Sequence, residues 1–166
     1  EIYCKNEDAQ KVWERVFEAG ADYGIKPIGL AARDTLRLEM GYCLYGNDIT
    51  DETSPIEAGL GWVTKFSKEF TNSTAIQRQK EEGVDKRLVG FKMIDRGIPR
   101  SHYEIMDEAE NVIGEVTSGS QSPSMECGIG LGYIKKPFTK AGSEIYIAVR
   151  KRRLKAQVVK LPILGK

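Results

Sequence analysis

The 166-residue sequence has little of what transition-metal sites and disulfide frameworks need. It contains one histidine, His102, with no cysteine or second histidine at ligand spacing, so we expect no transition-metal site. Its three cysteines, Cys4, Cys43 and Cys127, are odd in number and far apart, which suits reduced thiols in a cytosol-like compartment. The sequence therefore predicts neither a metal cofactor nor a disulfide scaffold.

A surplus of positive charge and a long apolar run are also missing. The formal net charge is +1, which argues against a dedicated nucleic-acid-binding protein because phosphate neutralisation needs an excess of basic residues. No apolar run approaches the length of a membrane span, and the start shows no signal-peptide pattern. We therefore expect no nucleic-acid partner, no membrane association and a cytoplasmic location.

What the sequence does contain is enough apolar material for a core. Hydrophobic residues make up 40% of the chain, and its length suits one large or two small domains. The chain starts at Glu1, without a methionine, and runs directly into the strand-like EIYCK. We interpret it as a piece of a longer protein.

The first half of the chain predicts short helices and one strand. The first helix is predicted to be capped by Asn6 and to end at Gly20. Between them, apolar residues recur at helical spacing, at Ala9, Val12, Trp13, Val16 and Phe17. The run from Leu60 to Phe66 predicts a strand, and a short polar helix is predicted between Asn72 and Gly83.

A second helix is predicted from Arg33 to Met40, with Gly41 as its stop. Arg33 and Arg37 lie one helical turn apart, so both guanidinium groups can face the same side. Leu36 and Met40 repeat at the same spacing on another face, where they are predicted to anchor the helix in a core.

The character of the sequence changes near residue 83, beyond which helical periodicity disappears. Six short β-rich runs follow, at Arg87–Ile94, His102–Met106, Val112–Thr117, Gly128–Ile134, Glu144–Arg150 and Leu154–Leu161. Turns are predicted at Asp107–Asn111 and Lys151–Arg153. This spacing predicts a small antiparallel barrel or sandwich. We therefore divide the chain into two domains, residues 1–83 and 84–166.

Two motifs imitate binding sites without having the right context. Gly128–Gly132 resembles a dinucleotide loop, but Tyr133 stands where the last glycine should be and no helix follows. We interpret the run as a closely packed strand. The basic run Arg150–Arg153 lies between two β-rich segments, so a solvated hairpin turn explains it better than a nucleic-acid patch.

Three charged residues, Glu1, Arg33 and Arg100, form the candidate binding constellation. A carboxylate can accept two parallel hydrogen bonds from a planar N–C–N donor edge, such as the one a pterin presents. An arginine offers a fork of donors and stays charged, so it can hold a carboxylate in place. On the residues alone, ordinary ion pairs between strands and helices are the commoner explanation for such charges.

Several segments, in this order and spacing, resemble the glycine cleavage T-protein (aminomethyltransferase) family over essentially the whole chain. They are Glu1-Ile2, Gly29–Glu39, Leu44–Asp48, Thr53–Leu60 with Trp62, Ile113–Gly119, Ser122–Ser124, Gly128–Tyr133 and Val149-Arg150. The resemblance is to the C-terminal half of the family. It implies an α+β fold, in which the end of a folate-binding domain is followed by a small antiparallel C-terminal β-barrel.

The resemblance also implies a reaction and its partners. Members of the family move a one-carbon unit from the aminomethyl-lipoyl arm of the H-protein to the co-substrate tetrahydrofolate, giving methylenetetrahydrofolate and ammonia. The family residue matching Glu1 binds the pterin edge. The one matching Arg33 lines the same pocket, and the one matching Arg100 orients the glutamate.

The family's catalytic aspartate lies in the N-terminal half, so no catalytic residue is assigned here and the chain alone is expected to be inactive. Alternatives stay open: the folate domain of a sarcosine or dimethylglycine oxidase, a relative that assists iron–sulfur assembly, or a purely structural module. The iron–sulfur relatives carry a cysteine near the position of Lys68–Thr71, where this chain has none.

Overall fold

The computed structural model describes residues 1–165. Internal contacts divide them into two compact units, one from Glu1 to Arg33 and one from Asp34 onward. The helices are α1 (Ala9–Gly20), α2 (Leu30–Glu39) and α3 (Ser73–Glu82), with short 3-10 turns at Asn6–Asp8 and Ala21–Tyr23. The strands are β1 (Lys86–Met93), β2 (Glu104–Met106), β3 (Val112–Gln121), β4 (Gly128–Lys135), β5 (Glu144–Val149) and β6 (Arg152–Val159). None of the helices within residues 1–165 has both the length and the apolar character that a membrane span requires.

The first unit is built around α1, which the periodicity of the sequence predicts correctly. Asn6 does not cap it, because a 3-10 turn already begins there and precedes the helix. Its apolar face is open: Trp13 is 57% exposed and stacks on Phe17 with ring centroids 4.7 Å apart. Residues 1–5 form no strand, contrary to the prediction, since the described part of this unit offers no strand for them to pair with.

Helix α2 ends where the sequence predicts, at Gly41. The Gly41 N–H donates to the carbonyl of Leu38 at 2.9 Å, and the Tyr42 N–H donates to that of Arg37 at 2.9 Å. This is the Schellman pattern, which needs a residue at positive φ, and Gly41 has a φ of 71°.

The predicted core face of α2 is wrong. Leu36 and Met40 are 61% and 40% exposed, and the helix instead buries Leu38 and Glu39. The reason is the neighbour of the helix: Leu38 packs with apolar side chains of β1, of β4 and of the chain end, including Ile163.

No strand forms between residues 60 and 66, so that prediction is also wrong. The segment is held by local hydrogen bonds of turns. The Leu60 N–H donates to the Pro55 carbonyl at 2.8 Å, and the Val63 N–H donates to the Leu60 carbonyl at 3.1 Å. Trp62, in the middle of this segment, is 74% exposed to solvent. Helix α3 follows as predicted and ends at Gly83, which has a φ of 88°.

The six strands close into an antiparallel barrel in the order β1-β4-β3-β2-β5-β6, and β6 pairs with β1. All six predicted β runs are therefore confirmed as strands, and the barrel, not the sandwich, is the architecture. The hairpin turn between β5 and β6 is Arg150-Lys151, one residue earlier than predicted, because Val149 pairs directly with Arg152.

Apolar side chains fill the barrel and also cover one side of its wall. The interior cluster consists of Val89, Phe91, Met93, Ile105, Ile113, Val116, Ile134, Ile145, Ile147, Leu154, Ala156 and Val158. A second cluster joins Leu38 of α2 to the wall through Leu88, Ile129, Leu131 and Ile163. Strands β1 and β4 are thus buried on both faces, which explains why they have near-continuous rather than alternating burial.

The glycine run of β4 is a strand, as predicted. Gly130 pairs opposite Phe91, and a methyl group added at Gly130 would collide with the ring of Phe91. The run therefore serves close packing inside the barrel.

Candidate functional site

The three predicted site residues are all exposed to solvent. Glu1 and Arg33 belong to the first unit, and Arg100 belongs to the second, in the connection between β1 and β2. Their convergence on one ligand stays a prediction. The Glu1 carboxylate accepts a hydrogen bond from the Tyr3 hydroxyl at 2.6 Å, and this bond raises the pKa of Tyr3.

Arg100 projects from a turn whose backbone is tightly held. The Tyr103 N–H donates to the Arg100 carbonyl at 3.2 Å and closes the turn. The Ser101 hydroxyl donates to the carbonyl of Thr117 at 2.7 Å, and the His102 N–H donates to that of Val116 at 2.8 Å. The backbone beside Arg100 is therefore fixed against β3, although the arginine side chain itself is exposed.

Strand β3 has a bulge at this point. Val116 pairs with Gly132 and Ser118 with Leu131, so Thr117 is an extra residue without a partner across the ladder. Such bulges bend a strand and redirect side chains. The Thr117 hydroxyl donates to the carboxylate of Asp48 at 2.5 Å, with a longer contact of 3.2 Å to the Leu131 carbonyl.

Asp48 is the centre of a buried polar network. Its side chain has no solvent exposure, and its carboxylate accepts a hydrogen bond from Arg37 at 2.6 Å and one from the Leu44 N–H at 2.9 Å. Arg37, whose side chain is 11% exposed, also donates to the Ser118 hydroxyl at 2.9 Å and to Asp34 at 2.8 Å. A buried ion pair of this kind needs such additional bonds to compensate for desolvation.

A second carboxylate, Glu39, is buried next to the first network along α2. It accepts a short hydrogen bond from the Ser122 hydroxyl and another from the Ser124 hydroxyl at 3.1 Å. Its own backbone carbonyl accepts from the Leu164 N–H at 2.9 Å. The end of α2 is thereby fastened both to the residues after β3 and to the end of the chain.

Two ionisable groups close to Asp48 are held in their neutral forms. Burial raises the pKa of Tyr133 to about 12, and its hydroxyl donates to the Asp48 carbonyl at 2.9 Å. Burial, and then the negative charge of Asp48, raises the pKa of the Cys43 thiol. The positive charge of Arg37 lowers this pKa but is outweighed, so the thiol is less readily ionised than an ordinary cysteine.

The sequence did not predict that the residues around Asp48 form a network. It placed Arg37 beside Arg33 on one face of α2 and gave no role to Asp48 or Thr117. These residues are 69 positions apart, and no periodicity connects them. The signal available was their presence in the segments Leu44–Asp48 and Ile113–Gly119, which carry the family resemblance.

His102 is a surface residue whose ring lies 3.0 Å from the carboxylate of Glu115. Across residues 1–165 no group of three or more histidine, cysteine or acidic side chains is arranged to hold a metal ion.

Two family models match the chain. The model described as the GCVT N-terminal domain matches residues 1–68. The model described as the glycine cleavage T-protein C-terminal barrel domain matches residues 86–164.

Curated relatives match the chain over its full length. An aminomethyltransferase from Flavobacterium psychrophilum is 63% identical over 100% of this chain and 46% of its own length. One from Bacteroides thetaiotaomicron is 58% identical over 98% of this chain and 45% of its own length. The chain thus spans less than half the length of these relatives.

A solved structure matches the fold as well. The glycine cleavage system aminomethyltransferase T of Bartonella henselae superposes with a TM-score of 0.84 at 33% identity. The match covers 93% of this chain and 43% of that one.

Proposed function

Because the chain belongs to the glycine cleavage T-protein family and corresponds to the C-terminal half of its relatives, we propose that it is part of an aminomethyltransferase of the glycine cleavage system. The observation that carries this proposal is the 63% identity across the whole chain to a protein of that name.

The proposed reaction moves the one-carbon unit of the aminomethyl-lipoyl H-protein to tetrahydrofolate. The carbon–sulfur bond to the lipoyl arm and the carbon–nitrogen bond to the amine break, and the carbon forms bonds to two folate nitrogens. The products are methylenetetrahydrofolate, ammonia and the free lipoyl thiol. Tetrahydrofolate is a co-substrate in this scheme, and the H-protein is the macromolecular partner. The proposed reaction needs no metal ion, and its proposed location is the cytoplasm, or the mitochondrial matrix in a eukaryote.

The roles proposed for Glu1, Arg33 and Arg100 are in folate binding. All three side chains are exposed and so available to a ligand. The Glu1 carboxylate can pair with the planar donor edge of a pterin, and the two guanidinium groups can hold carboxylates of the ligand or of the protein. Such groups act by positioning, so that the folate nitrogen meets the lipoyl-borne carbon.

The chain by itself is proposed to be inactive. The family's catalytic aspartate matches no residue here, and a carboxylate near the reacting carbon is needed to stabilise the cationic species that forms there. A pocket that lacks part of its walls also leaves its polar groups hydrated, which weakens ligand binding.

The experiment compares the full-length protein containing this chain with the 166-residue chain alone. Each is mixed with aminomethylated H-protein and tetrahydrofolate, and methylenetetrahydrofolate and ammonia are measured. We expect both products in equal amounts from the full-length protein and neither from the chain alone. Absence of folate-dependent ammonia release from the full-length protein would overturn the proposal. Flavin-dependent oxidation of sarcosine or dimethylglycine would favour the oxidase alternative.

A further inference from the structure

We propose that the β3 bulge at Thr117 is a positioning element for Arg100. The inference rests on the folate role proposed above for Arg100 and adds the residues that hold it. Thr117 does not touch the ligand in this scheme. It acts through the backbone on either side of Arg100.

The first support is direct contact between the bulge and the Arg100 turn. Two hydrogen bonds join them, from the Ser101 hydroxyl to the Thr117 carbonyl at 2.7 Å and from the His102 N–H to the Val116 carbonyl at 2.8 Å. Two residues beyond the bulge, a methyl group added at Gly119 would lie 2.5 Å from the carbonyl oxygen of Pro99. The residues before and after Arg100 thus both rest on β3.

The second support is that the bulge is fixed from its other side. The Thr117 hydroxyl donates to Asp48 at 2.5 Å, and the neighbouring Ser118 hydroxyl accepts from Arg37 at 2.9 Å. Because Asp48 is fully buried and paired with Arg37 at 2.6 Å, the bulge cannot shift without disturbing a buried ion pair. One continuous chain of contacts therefore leads from Arg37 through Asp48 and Thr117 to the Arg100 turn.

The third support is the backbone of the turn itself. His102 has a φ of 68°, in the left-handed region that is unfavourable for a residue other than glycine. Such a conformation persists only where the surroundings determine it, and it is enriched at ligand-binding segments. Holding the backbone in advance lowers the ordering cost of binding, which improves affinity without a new ligand contact.

The test uses the full-length protein and two matched variants. Thr117→Val keeps the shape of the side chain and removes its hydroxyl, whereas Thr117→Ser keeps the hydroxyl. We expect Thr117→Val to raise the tetrahydrofolate Kd about fivefold to tenfold, since the lost bond is to Asp48 and only part of its free energy reaches the ligand through Arg100. The rate at saturating folate should stay unchanged, and Thr117→Ser should retain the parent affinity.

A double-mutant cycle with Arg100→Ala separates positioning from general destabilisation. If Thr117 acts through Arg100, Thr117→Val weakens folate binding in the parent protein and has no further effect once Arg100 is alanine. Equal effects of Thr117→Val in both backgrounds would overturn the inference.

Amide hydrogen exchange at His102 provides a readout that does not depend on folate. Suppose that exchange at His102 is faster in Thr117→Val, but folate affinity is unchanged in Arg100→Ala. The turn then depends on the bulge, and the folate role of Arg100 is refuted. Weaker folate binding in Arg100→Ala, with unchanged exchange and affinity in Thr117→Val, would refute the positioning alone. If Thr117→Val does not fold, Ser101→Ala takes its place. This variant removes the hydrogen bond from the Ser101 hydroxyl to the Thr117 carbonyl, and the same measurements are made on it.

Discussion

The carboxylate of Asp48 and the guanidinium of Arg37 form an ion pair at 2.6 Å, in which Asp48 is completely shielded from solvent. The two residues come from a loop and from α2, and each makes a further bond to the barrel, Asp48 with Thr117 and Arg37 with Ser118. The pair is therefore the polar fastening between the barrel and the helix beside it, complementing the apolar cluster around Leu38.

Replacing Asp48 by asparagine should lower the free energy of unfolding by about 3 kcal/mol, the lower end of the range for breaking a buried pair, because Arg37 then keeps only the partly exposed Asp34 as a countercharge. Thermal and urea unfolding followed by circular dichroism would measure the loss. The control is Asp51→Asn, since Asp51 is exposed and such surface changes stay within about 0.5 kcal/mol. Similar midpoints for the two variants would contradict a stabilising role for the pair.

Gly130→Ala should destabilise the barrel by about 1–3 kcal/mol, the usual effect of overpacking a core. The added methyl group would meet the ring of Phe91 and the carbonyl of Ser118. Gly61→Ala is the matched control, because its methyl group would lie 3.4 Å from the nearest atom, an ordinary contact with Ile56. Urea unfolding of both variants checks the difference, and a Gly130→Ala midpoint equal to that of Gly61→Ala would show that the interior has room to spare.

The pKa of Tyr133 predicts an alkaline dependence of stability. Burial raises this pKa from its ordinary value of 10.0 to about 12. Between these values the unfolded state has lost the proton that the folded state keeps, so the unfolded state binds fewer protons and stability falls as pH rises. The contribution is fully present below pH 10 and is lost as pH approaches 12.

Tyr133→Phe should therefore lose less stability between pH 10 and 12 than the parent chain. Its stability below pH 10 should be lower than that of the parent, because the hydrogen bond to the Asp48 carbonyl is gone. Urea unfolding at a series of pH values provides the slopes. Tyr23→Phe, at a residue that is 89% exposed, should leave the parent slope intact. Identical slopes for the Tyr133 variant and the parent would exclude this tyrosine as the source.

In the full-length protein, Glu1→Ala should raise the tetrahydrofolate Kd by about two orders of magnitude. That corresponds to the loss of a charge-assisted hydrogen-bonded pair, at about 1.5–3 kcal/mol. Isothermal titration calorimetry with tetrahydrofolate measures the change, and Glu7→Ala is a control at another exposed glutamate near the same end. An unchanged Kd in Glu1→Ala would remove the pterin-binding role of this residue.

The parts of the fold that the sequence predicts well are those set by local chemistry. Gly41 stops α2 because only a residue at ease with positive φ completes the pattern of bonds there. The β runs are separated by turn residues, so all six strands can be located from the sequence alone. Their closure into a barrel follows from the need to pair the exposed edges.

The errors arise where tertiary contacts decide. Leu36 and Met40 look like core residues by spacing, but the face of α2 that lies on the barrel is a different one, which carries Leu38 and Glu39. Periodicity identifies an apolar face and does not identify its neighbour. The Asp48 network was missed for a related reason, since hydrogen bonds between residues far apart in sequence have no local signature.

Closure of the ring also constrains the order of events during synthesis. Strand β1 bonds on one side to β4 and on the other to β6, the last of the six barrel strands to leave the ribosome. Until Arg152–Val159 has emerged, β1 and β5 each have one unpaired edge, which is a template for pairing with other chains. A premature stop shortly before Arg152 would thus give a molecule with most of its core residues and two unpaired strand edges, so nascent chains should depend on chaperones mainly until β6 has emerged.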